Sequence, residues 1–92
     1  MATYFMFGKY SLDAVKGISA KRTTQAMALI KKYGGEVKAG YALLGDVDIV
    51  LVVDLPDTEK AMQVSAALAK LLGISFRTSP AVNFETFDKL MT

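Results

Sequence analysis

The sequence predicts an α+β fold with strands and helices in the order β-α-β-β-α-β. Three observations carry that expectation. Two stretches place apolar residues at helical spacing, and each ends on glycine. Two β-rich runs flank Gly45-Asp46, a pair suited to a tight hairpin turn. Further strand-like runs open the chain and follow the second helix.

Each element has its own signal. Thr3 to Tyr10 is rich in aromatics and reads as a strand. Ser11 is an N-cap for a short turn carrying Leu12 and Val15, which Gly17 loosens. Ser19-Ala20-Lys21-Arg22 reads as a loop or the start of a second helix. Ala26, Leu29, Ile30 and Tyr33 then form one helical face, stopped by Gly34-Gly35. Glu36 to Leu44 and Val47 to Leu55 make the hairpin strands. Asp57 caps a helix whose inward face is Ala61, Val64, Ser65, Leu68, Leu71 and Leu72, ended by Gly73. Ile74 to Thr78 is the fourth strand, with Pro80 marking an edge or a bend, and Phe84 to Met91 forms a short terminal helix. This is the split βαβ pattern of the ferredoxin-like fold, a four-stranded antiparallel sheet in the order 4-1-3-2 with both helices on one face.

A two-residue turn pairs Leu44 with Val47 and Leu43 with Asp48. Paired residues share a face. Gly40, Ala42, Ile49, Leu51 and Val53 are then on one side, where small residues at 40 and 42 let a helix approach. Ala39, Tyr41, Asp48, Val50 and Val52 are on the other, with Tyr4, Met6 and Tyr10 assigned to it from the first strand. Four strands of ordinary spacing and length expose roughly 400 Å² of projected face. A patch that large, and apolar, calls for cover, and the simplest cover is the same face of a second copy.

Composition narrows the chemistry. The 92 residues suit a single domain, 1–92, and 52% of them are hydrophobic. Without Cys or His there is no thiol nucleophile, disulfide or imidazole ligand, so no metal site and no cofactor are expected. Eleven basic residues against nine acidic ones leave a formal charge of +2, with no basic cluster to hold nucleic acid. No apolar run approaches membrane-spanning length and the N-terminus does not read as a signal peptide, so a cytoplasmic protein without membrane partners is expected.

Leu44-Gly45-Asp46-Val47-Asp48 followed by Ile49-Val50-Leu51-Val52-Val53 resembles the hallmark of the GYD-domain family. The likeness extends to Ala2-Thr3-Tyr4-Phe5, to Lys21-Arg22 and to Leu29 through Gly35. The family's Gly and Asp match Gly45 and Asp48, while Val47 stands where it has Tyr and Ala20 where it has Pro before the Lys-Arg pair. The resemblance implies a small protein of the dimeric α/β-barrel type.

Several side chains are candidates for ligand binding. Asp48 faces the apolar open side, as a general base, a ligand anchor or a strand-end carboxylate held by turn amides or a Lys. Arg77 alternates with Phe76 and faces the same side, to clamp an anion, bridge to a partner subunit or reach the rim. Tyr4, Tyr10 and Tyr41 line a cavity or pack at an interface. Lys21 and Arg22 stand near a helix start, as an anion site or as solvated residues. The leading expectation is an oligomeric small-molecule-binding or regulatory module, with its cavity between two packed sheets and Asp48, Tyr41 and Arg77 at the rim. The alternatives are a cofactor-independent monooxygenase- or isomerase-like enzyme and a structural assembly subunit.

Overall fold

A computed structural model describes residues 1–92. The elements are β1 (Ala2–Tyr10), α1 (Leu12–Lys16), α2 (Ala20–Lys32), β2 (Glu36–Ala42), β3 (Ile49–Leu55), α3 (Thr58–Leu72), β4 (Ile74–Ala81) and α4 (Phe84–Met91). The sheet order is β2-β3-β1-β4, every pairing antiparallel. This is the expected ferredoxin-like arrangement.

Helix ends follow local chemistry. Ser11, Ser19, Asp57 and Asn83 each accept a hydrogen bond from a backbone N–H three residues ahead, satisfying a donor that has no partner inside its helix. Ser19-Ala20-Lys21-Arg22 is thus a helix start rather than a loop. Gly73 ends α3 at φ +69°, where a side chain would be strained. Its carbonyl accepts the Ser11 N–H at 3.1 Å, tying the end of α3 to the start of α1.

The hairpin keeps the expected register through a wider loop. Strand pairing stops at Ala42 and Ile49 instead of running to Leu44 and Val47. Ala42 opposes Ile49 and Gly40 opposes Leu51, and the Leu43 N–H donates to the Asp48 carbonyl at 2.8 Å, so the faces are those the tight turn implies. A shift between Val37 and Ala39 leaves Lys38 as the extra residue of a bulge.

The first strand corrects the expectation. Tyr4 opposes Val53, Met6 opposes Leu51 and Gly8 opposes Ile49, so Tyr4, Met6 and Tyr10 belong to the helix face and Phe5 and Phe7 to the open one. Residues 4–7 are all large and apolar, so no period-two pattern distinguishes the sides. Long-range pairing makes the choice. Leu71 also differs from expectation, being exposed beside buried Leu68 and Leu72. β4 runs on through Pro80 to Ala81, which its position at the sheet edge accommodates.

The core lies between the sheet and the helices. Tyr4, Met6, Val53 and Leu55 pack there with Ile30 of α2 and Ala61, Val64, Leu68 and Leu72 of α3. Ser65 and Thr78 are joined at 2.7 Å, a polar clasp between α3 and the edge strand. No helix is long and apolar enough to cross a membrane.

Candidate functional site

The helices leave part of the sheet's inner face uncovered. Gly40 and Ala42 face the helix side, as their register requires, yet both are exposed. Instead of drawing a helix into contact, these small residues floor a hollow of about 380 Å³ between the sheet and α1, α2 and α3. That volume is within the range of small-molecule sites, roughly 300–1,000 Å³.

Its walls are mainly apolar, including Ala26 and Met27 of α2, Ile49 and Leu51 of β3, and Ile74 and Phe76 of β4. Tyr10, Ser19 and Thr23 add hydroxyls, and Arg22 is the one charged residue on the lining. Arg22 is held in two ways. Its Nη2 donates to the Leu72 carbonyl at the end of α3, and its guanidinium lies where a Cβ on Gly17 would be. A guanidinium has five N–H donors, so that single bond leaves others for a ligand.

The remaining sequence candidates are dispersed. Asp48 is half-buried beyond the paired part of β3, and its Oδ2 accepts the Tyr10 N–H at 2.8 Å, continuing the ladder with a carboxylate. Of the roles open to Asp48, the visible one is structural, with the backbone of β1 as its partner. Tyr41, Val50, Phe7 and Arg77 form one cross-strand row on the open face. Tyr41 and Arg77 therefore occupy opposite edge strands, about 14 Å apart at ordinary strand spacing. They do not converge with Asp48 on one point. Tyr4 is buried in the core, and Lys21 is exposed on the first turn of α2, outside the hollow. Arg22 and, from its edge strand, Tyr41 border the hollow, while Tyr4 is on the helix side but inside the core.

The sequence reading missed two groups. In the hollow, Ile18 and Met27 carry no chemical motif, and Tyr10, expected at a cavity on the open side, lines this one from the helix face instead; the available signal was the small pair Gly40 and Ala42 opposite a helix. The second group is on the open face, where Thr3 Oγ1 donates to Asp54 Oδ1 at 2.7 Å. Lys38, the bulge residue, lies 3.6 Å from Asp54 and 3.5 Å from Glu36.

Several solved structures share this fold. The Mycobacterium tuberculosis leucine response regulatory protein LrpA is similar with a TM-score of 0.59 and 13% sequence identity, over 89% of this chain and 51% of that one. A glycine-to-threonine mutant of Rv3291c gives a TM-score of 0.60 at 13% identity, over 90% and 51%. A glutamate-to-alanine mutant gives 0.59 at 15%, over 89% and 50%. At these identities the likeness concerns the fold alone, and the chain spans about half the length of those solved chains. No match is found among curated proteins. A family model agrees with the signature around Gly45 and Asp48: the GYD domain model matches residues 4–91, and the chain belongs to the GYD domain family.

Proposed function

We propose that this chain is a single-domain small-molecule-binding module, and that its ligand is an amphipathic monocarboxylate seated in the hollow beneath α1 and α2. The observation that carries this reading is the hollow itself: ligand-sized, apolar on most of its walls, with Arg22 as its single charge. Apolar walls reward a hydrocarbon or aromatic body, while an isolated guanidinium rewards one anionic end. The site is on the helix side of the sheet. A cavity between two sheets is therefore not needed, and the open face is left for self-association. A regulatory role, in which occupancy of the hollow alters that association, suits the same arrangement.

The enzyme reading has less support. It depends on Asp48 as a base, and that carboxylate is outside the hollow with one oxygen on a backbone N–H.

Titration calorimetry with decanoate and with 1-decanol tests the proposal. Decanoate should bind at least tenfold more tightly than the alcohol. Ala42→Phe, which fills the hollow from an exposed position, should reduce decanoate affinity at least tenfold without lowering Tm. Equal affinities would remove the part assigned to Arg22, and binding of neither probe would end the small-molecule reading.

A further inference from the structure

We propose that α4 is an association arm, with its apolar stripe seated on a second copy of this chain. Phe84, Phe87, Leu90 and Met91 are at i, i+3, i+6 and i+7, the spacing of one helical face, while Glu85, Asp88 and Lys89 fall between them. In α3 the same design buries Ala61, Val64, Leu68 and Leu72; α4 buries nothing. Phe84 is 86% exposed, Phe87 47%, Leu90 67% and Met91 66%. An eight-residue helix is also too short to hold itself together in water, since isolated helices below about 12–15 residues are marginal. A cap at Asn83 and an exposed Lys89–Glu85 pair at 3.5 Å do not substitute for packing.

Area points to a second copy as the occupant. Stable complexes bury about 800 Å² of accessible surface on each partner, whereas the open sheet face projects only about 400 Å² before side-chain relief is counted. Aromatic side chains bury about 150–250 Å² each, so with 86% and 47% of their surfaces exposed Phe84 and Phe87 alone contribute roughly 200–330 Å². Leu90 and Met91 extend that contribution. Residues from Val82 onward are exposed, and the molecule measures 48 × 30 × 19 Å, long for its 92 residues. A membrane surface is the poorer occupant, because the polar side of α4 has two acidic residues against one lysine, whereas interfacial helices carry basic ones.

The proposal rests on the self-association reading but is separable from it. Sedimentation of the full chain, of Phe84→Ser/Phe87→Ser and of Phe5→Lys gives the three dissociation constants. Phe5 is an exposed residue of the open face, and circular dichroism checks that each variant keeps its fold. The arm predicts at least a 100-fold weaker dimer for the double variant, and amide-exchange protection of residues 84–91 that rises with protein concentration. A dimer unchanged by the double variant but broken by Phe5→Lys would overturn the arm and keep the open-face interface. The reverse pattern would keep the arm and discard that face. A monomer at all concentrations would defeat both. Concentration-independent protection would show that α4 folds back on its own chain, and pelleting with phosphatidylcholine/phosphatidylglycerol vesicles through Phe84 and Phe87 would assign it to lipid; either overturns the proposal.

Discussion

The two faces of the sheet use similar residues to different ends. On the helix side, Met6, Val53 and Leu55 have no contact with water, and α3 lays Val64 and Leu68 against them. On the open side, Phe5, Phe7, Val50 and Val52 form a band of comparable hydrophobicity with no helix above it, and the Phe5 and Phe7 rings lie tilted with centroids 6.3 Å apart. Polar groups border that band: Thr3, Asp54 and Lys38 at one end, Arg77 along an edge. An apolar centre within a polar border is the anatomy of a protein interface. The difference teaches that apolar character alone does not mark the core. Which face becomes core depends on where the crossover helices pass.

Mutations can set the two faces against each other. The largest effect on stability belongs to the helix face. Leu68→Ala should cost about 2–5 kcal/mol in urea unfolding, because the rigid surroundings of a fully buried leucine collapse only partly into the space left behind. If it costs no more than Phe5→Lys does in the monomer, the faces are not energetically distinct.

Gly73→Ala probes the frame that holds the helix layer in place. A left-handed backbone at φ +69° is costly for alanine, and the added methyl would lie 3.1 Å from Ser11 Oγ. The expected loss is about 1–2 kcal/mol, read as a lower Tm. Asp48→Ala probes the rim between the faces, where removing the acceptor of the Tyr10 N–H should cost about 1 kcal/mol. Asp48→Asn keeps an acceptor oxygen and should restore most of that loss. An Asn variant as unstable as the Ala variant would mean that the charge, not the hydrogen bond, is what matters there.

Local signals carried much of the fold. Ser11, Asp57 and Gly73 act at the helix ends where their chemistry places them, and Gly45-Asp46 set the hairpin register even though the loop opened to include residues 43–48. The candidate site was less legible. Arg22 could be picked out near a helix start, but its partner Leu72 is 50 residues away in sequence, and no local pattern encodes that contact.

The element order, the caps and the alternation of the hairpin strands are thus written in the chain itself, because each depends on residues within a few positions of one another. The orientation of β1, the bulge at Lys38, the hollow over Gly40 and Ala42 and the unburied stripe of α4 were decided by tertiary structure. Each depends on which distant segment arrives to pack, or fails to arrive, and a run such as Tyr4-Phe5-Met6-Phe7 suits either face until β3 pairs beside it.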